Sequence, residues 1–410
     1  MSGGGPMGAI YEVGALCALQ ESLNGVDFTR LQHYVGVSAG GFLAAGLANG
    51  ITPRELCASF IENDSGPSET FDPSWLTEPA YGEFVRRAIM WPGLLLGALQ
   101  HLLVGRKSLT HALESLGPGL PSGVFSNDQV HTQLARLFSR EGRTNDFRQL
   151  STQLTLVATN LDSGETAPFG RPGWDHVPIS KAVQASSALP GLFPPVEIDD
   201  AYYVDGALKK TMHASVALDQ GIDLMLCLNP LVPFDASASN HSPHASRIPH
   251  IIDGGLPAVL SQTFRSMIHS RMVLGIKQYE RLYPKADIIL IEPDQRDPEL
   301  YLANTFSYAQ RRHLAEHAYQ QTRHLLRSRT AGLSTKLWRH GISLHHEALD
   351  DPKRHLCPPP VAPSRLGRAL AQLEEVMEDL SHTLSSLAHL RQNQHQNQNQ
   401  TQQRTERSTW

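Results

Sequence analysis

Along the first 330 residues, apolar positions recur in two rhythms. Compact apolar runs occur at Leu31–Val37, Leu154–Ala158, Leu224–Leu228 and Ala286–Ile291, each bounded by Asp, Asn, Pro or Gly. Such runs predict short strands. Between them, Ala9–Leu23, Ala39–Ala48, Val177–Ala185 and Val259–Leu282 carry helical spacing, and a charged helix is expected over residues 308–329. Strands alternating with helices predict an α/β domain with a largely parallel sheet. The segment Ile89–Val104 follows Arg86 and Arg87 and contains Pro92 and Gly93. It is too short to span a bilayer. Two readings remain for it: a helix lying in a lipid interface, or a buried or cap helix of the core.

Past Thr330 the pattern changes. Residues 331–365 hold Pro352, Pro358, Pro359, Pro360 and Pro363 and are expected to form an irregular linker. Leu366, Leu370, Leu373, Met377, Leu380, Leu384 and Leu387 then recur at alternating spacings of 4 and 3. This predicts a heptad helix over 366–391, either docked on the core or self-associating through 366–390. Residues 392–410 begin with a Gln/Asn tract that can bury nothing and are expected to be disordered. The domain expectation is therefore a catalytic unit over 1–330, with its motifs in 1–230, followed by linker, heptad helix and tail.

Composition narrows the function. In 410 residues, 40% are apolar and only 18% charged, enough to bury a large core. A formal charge of -5 argues against nucleic acid as a partner. Cys17, Cys57, Cys227 and Cys357 lie far apart with no C-x-x-C pair, so spacing supports neither a disulfide scaffold nor a cysteine zinc site. With no apolar run of membrane length and no signal-peptide pattern at the start, a cytoplasmic protein, at most peripheral at a membrane, is expected.

Three motifs carry chemistry. Gly36-Val37-Ser38-Ala39-Gly40 sits between a strand and an apolar helix, the setting of a nucleophile elbow that lifts a serine hydroxyl out of a sharp turn. As an ordinary turn, Ser38 would simply cap the helix. Gly3-Gly4-Gly5-Pro6-Met7-Gly8 opens the first helix, and its backbone N–H groups suit an oxyanion. Gly3, Gly5 and Gly8 also match a dinucleotide fingerprint, but no strand precedes them and Asp27 lies in a polar loop. Tyr202-Tyr203-Val204-Asp205-Gly206-Ala207 ends a short apolar run in Asp-Gly, which places a carboxylate at a strand terminus.

Together these motifs resemble the patatin-like phospholipase family, which carries a glycine loop, G-x-S-x-G and D-G-G/A in this order. Ala185–Pro195 and Leu120–Phe125 look like further stretches of that family. The resemblance implies a three-layer α/β/α patatin-like core and a serine acyl hydrolase of phospholipid or other lipid esters. It implies Ser38 as nucleophile and Asp205 as proton acceptor, without a histidine. Gly3, Gly4, Gly5 and Gly8 form the oxyanion hole, Gly36, Gly40 and Gly206 support the motifs, and no metal or cofactor is required. The expected partners are a lipid ester and, transiently, a membrane surface. Met7 stands where the family often has Arg or Lys. The family also has a buried strand ahead of its glycine loop, where this sequence has only Met1 and Ser2. Either the true start lies upstream or another segment fills that place.

Three rivals are testable. A Ser-His-Asp esterase would draw on His213, His241, His244 or His250, but Ser38 comes too early in the chain for that fold. His313-Leu314-Ala315-Glu316-His317 matches an inverted zinc-protease motif, yet it lies on a charged helix face with no third ligand marked. A lipid-binding or scaffold protein of the same fold, with little turnover, would use its C-terminal helix and tail instead.

Overall fold

The computed structural model describes residues 1–62, 76–103, 115–209, 212–235, 250–297, 299–300 and 308–357. In chain order, α1 (Gly5–Ser22) leads into β1 (Leu23–Asn24) and β2 (His33–Val37), then α2 (Ala39–Ala48) and α3 (Pro53–Cys57). A π-helical turn (Ala58–Glu62) prolongs α3, and α4 (Tyr81–Leu103) and α5 (Asp128–Phe138) follow. Next come β3 (Gln153–Asn160), β4 (Thr166–Phe169), α6 (Ile179–Ser186), β5 (Val196–Ile198), β6 (Ala201–Asp205), α7 (Ser215–Leu218) and β7 (Leu224–Leu228). The last elements are α8 (Gly255–Leu282), β8 (Asp287–Ile291), α9 (Tyr308–Ser328), α10 (Thr330–Trp338), β9 (Ser343–Leu344) and α11 (His346–Asp350).

The sheet explains how distant motifs meet. Strand β2 runs parallel to β3, with Val37 beside Val157. Strand β6 runs antiparallel to β3, with Asp205 beside Ala158. Strand β4 pairs with Leu156–Thr159 and therefore occupies the opposite edge of β3. So β2 and β6 lie end to end on one edge, and their C-terminal tips abut at consecutive residues of β3. Alternation along β3 then sorts its two faces. Leu154, Leu156 and Ala158 join the main core, where α1 and α2 pack, while Val157 joins Val37, Ala207 and Ile268 of α8. Helices on both faces make three layers, as the α/β reading anticipates. The five-stranded sheet is mixed rather than largely parallel: β2–β3 pair parallel while β4, β5 and β6 pair antiparallel, and the parallel β7–β8 pair forms a separate two-stranded sheet. Those antiparallel strands hold three to five residues, too few for an alternation to show in sequence.

Helix α1 is apolar on all sides and buried along most of its length, as a central helix must be. Its Gly14 lets α9 approach closely, since a Cβ there would come within 2.4 Å of the Ala315 carbonyl oxygen. Ahead of α1, Met1 and Ser2 connect two sheet edges. The Met1 amino group donates to the Val35 carbonyl at 2.9 Å, and Val37 N–H donates to Met1 O at 3.2 Å. Ser2 N–H reaches Leu228 O of β7 at 3.1 Å.

The irregular linker expected over 331–365 is corrected for its described part. Residues 331–357 contain α10, β9 and α11, and β9 pairs antiparallel with β1. Arg323 of α9, almost fully buried, holds this segment by donating to the carbonyls of Ala348, Leu349 and Asp351 at 2.7, 3.0 and 2.7 Å. Of the five prolines, only Pro352 falls in the described chain, just after α11, where it cannot interrupt a helix. The heptad helix (366–391) and the tail (392–410) lie outside the described residues.

Candidate active site

Ser38 sits at the turn between β2 and α2 with φ 53° and ψ -129°, a conformation that side chains rarely adopt. Holding it there costs about 1–3 kcal/mol. The surroundings impose the turn. Gly36 lets α2 fold back on β2, since a Cβ would lie 2.7 Å from Gly41 Cα. Gly40 lets Met1 and Ser2 pass, since a Cβ would lie 2.6 Å from Ser2 O. The two motif glycines therefore serve close approach, while the left-handed φ falls on the serine itself. Ser186, at the end of α6, completes the frame. Its Oγ accepts Ser38 N–H at 2.9 Å and donates to Val157 O at 2.6 Å.

Asp205 ends β6 and is buried against the same edge of β3. Its carboxylate accepts Ala207 N–H at 2.8 Å, and the Ser38 side chain lies close enough to favour its ionised form. Burial pushes its carboxyl up to about 6, an increase that the nearby Ser38 side chain and Ala207 N–H limit. Gly206 allows the tight exit, because a Cβ would lie 2.2 Å from Val157 O.

The glycine run divides by role. Gly3 lies directly against the serine: a Cβ there would be 2.8 Å from Ser38 Cβ and 3.2 Å from its Oγ. Gly4 caps α1, and Gly5, with φ 60°, opens it and lines the cleft. The first turn of a helix leaves N–H groups without partners inside the helix. Gly8, expected in the oxyanion hole, is corrected. Its N–H is spent on Gly4 O at 3.1 Å, and its Cα packs near Pro230, where a Cβ would come within 3.0 Å of Cγ. The start of α2 has little to offer either. Gly40 N–H donates to Ser2 O and Gly41 N–H to Ser38 O.

Ser38 and Asp205 open into one cleft of about 980 Å³, counting its mouth. Its walls include Ile10, Phe42, Phe60, Leu189, Leu192 and Phe193. Arg311 of α9, only 2% exposed, also lines it. Sequence reasoning passed over Arg311, which belongs to no motif and comes 106 positions after Asp205. Ser186 lay within the family-like stretch Ala185–Pro195, but nothing in its spacing revealed its bond to Ser38.

No histidine lines this cleft among the described residues. His213 is buried with its Nε2 at 3.2 Å from Gly206 O. His250 N–H bonds Asp253, and His241 and His244 lie outside the described residues. The H-x-x-E-H segment is a network of histidine–carboxylate contacts. His313 Nε2 meets Glu299 at 3.1 Å, and His317 meets Asp297 and Glu299. Glu316 points elsewhere and accepts the N–H groups of Leu356 and Cys357 at 2.7 and 2.8 Å.

Fold and placed residues together define an α/β protein with a serine at a strand–helix turn and a buried carboxylate in one apolar cleft. The chain belongs to the patatin-like phospholipase family, whose family model matches residues 1–218. Among solved structures it is similar to VipD from Legionella pneumophila at 18% identity, with a TM-score of 0.36 over 80% of this chain. That match spans 66% of VipD, just under two thirds of its length.

Proposed function

We propose that this protein hydrolyses ester bonds of phospholipids or related lipids through Ser38 and Asp205. One observation carries the reading: Ser38 and the buried Asp205 carboxylate line one apolar cleft, at strand ends that abut on β3. Asp205 takes the proton from Oγ as Oγ attacks the ester carbonyl carbon. The oxyanion forms beside Gly3, Gly4 and Gly5, whose backbone amides stabilise it. The carbon–oxygen bond to the alcohol then breaks, and the alcohol leaves with the proton from Asp205. Water attacks the acyl-Ser38 ester by the same proton relay and releases the fatty acid. With Asp205 near 6, the carboxylate is mostly ionised at neutral pH yet still basic enough to accept a proton.

The cleft walls suit an acyl chain, and Arg311 supplies positive charge at the wall where Met7 cannot, which favours an anionic phosphoryl head. Helix α4 supports access from a lipid surface. Ile89, Leu95, Leu96 and Leu99 are all exposed on it, although no described helix is long and apolar enough to cross a membrane. The test is a fluorophosphonate probe followed by a lipid panel read by mass spectrometry. Labelling at Ser38 that disappears in Ser38→Ala, with fatty acid release lost in Asp205→Asn, is expected. A folded protein that neither labels nor releases fatty acid would instead be a lipid-binding scaffold.

A further inference from the structure

Three of the four cysteines, separated by 40 and 300 positions, meet beneath α1. Cys57 ends α3, Glu62 ends the π-helical turn, and Cys357 is the last described residue. One ligand atom from each of these three lies within 4.8 Å of the other two. Cys17, from the middle of α1, lies close enough to Cys57 to act on its thiol, and its Sγ donates to Pro53 O at 3.3 Å. All three thiols are buried. The π-helical turn is what makes the cluster. In an α-helix, residues five apart point about 140° from each other. The wider turn brings Glu62 round to the side of Cys57, and single π turns of this kind recur at functional sites.

The chemistry of the group fits a cation. Three thiolates and one carboxylate carry four negative charges. A divalent ion would leave two, and two guanidiniums stand close by. Arg54 donates to both Glu62 oxygens at 3.0 and 2.8 Å and lies 3.8 Å from Cys57 Sγ. Arg312 acts electrostatically on Cys357. Thiolate-rich sets with one carboxylate select zinc over hard cations such as magnesium or calcium.

We propose that Cys57, Cys357 and Glu62, with Cys17 as the fourth donor, bind a zinc-class divalent ion that clamps the C-terminal segment onto α1 and α3. Three thiol protons leave to solvent as the sulfurs coordinate, and Arg54 stays on the carboxylate as its outer partner. The clamp also fixes the π-helical turn that carries Phe60 to the cleft wall. Sequence spacing hid the site because its ligands come from both ends of the chain.

The test uses the purified full chain and does not depend on lipid turnover. Elemental analysis should find about one zinc per chain. After chelation, cobalt(II) should give the visible and near-ultraviolet bands of tetrahedral thiolate coordination, which zinc then abolishes. Chelation should lower Tm, and zinc should restore it. Cys57→Ser with Cys357→Ser should lose the cobalt bands, and Glu62→Gln should weaken binding about tenfold or more. Because the double variant could misfold, the wild-type cobalt titration decides. Folded wild-type protein that shows no thiolate–cobalt bands overturns the proposal. So does peptide mapping that finds a disulfide between two of these cysteines in the native protein.

Discussion

Replacing Asp205 with Asn should end turnover and, at pH 8, make the folded protein more stable. Burial raises the carboxyl from 3.8 to about 6 in the folded chain. A shift of about two units is worth roughly 3 kcal/mol between protonation states. The folded form holds the proton more tightly than the unfolded one. Its stabilising contribution is therefore complete below about pH 3.8 and is lost as pH rises through 6. The amide carries no charge to desolvate, and its oxygen can still accept Ala207 N–H. Urea unfolding of both proteins across this range isolates the group, because all other titrations cancel in the difference. The advantage of the variant should grow by about 3 kcal/mol between acid and pH 8. In wild type, kcat/KM should fall on the acid side with an apparent pKa of about 6. Parallel stability curves, together with an acid limb near 4, would refute the view that Asp205 is a desolvated base.

Other residues give further expectations. Gly3→Ala forces a methyl group to within 2.8 Å of Ser38 Cβ, so kcat should drop about a hundredfold with the circular dichroism spectrum unchanged. Arg323→Met strands the carbonyls of Ala348, Leu349 and Asp351 and should cost about 3 kcal/mol or more in thermal or urea unfolding. Ile89→Asp with Leu96→Asp, seven residues apart and so on one face of α4, should weaken binding to phospholipid vesicles at least about tenfold with Tm unchanged.

The parts legible in the sequence are those where local chemistry dictates shape. Ala39–Ala48 is helical as expected, and Leu224–Leu228 is a strand with the bounds its apolar run predicts. The G-x-S-x-G turn was readable because a strand, two glycines and an apolar helix leave few alternatives. What escaped depends on register between distant strands. Nothing within Ala201–Asp205 announces that Asp205 will stop beside Ala158, one residue on from the position Val37 occupies. The role of Gly8 was misjudged because a helix-opening glycine looks the same whether its amide is spent or spare. Arg311 and Ser186 matter through tertiary placement alone. The prolines after Thr330 do not break up 331–357, because four of the five come after Cys357 in the sequence.

The close crossing at Gly14 bears on how this protein can be cut. The part of the chain matched by the family model stops at 218, yet α1 rests on α9, which begins only at Tyr308. Tyr319 of α9 donates to Glu21 of α1 there at 2.6 Å. A fragment trimmed to the recognisable motifs would turn that notch, with Gly14 at its centre, toward water. Such a piece should aggregate rather than work, so dissection by homology would remove the half that keeps the first helix in place.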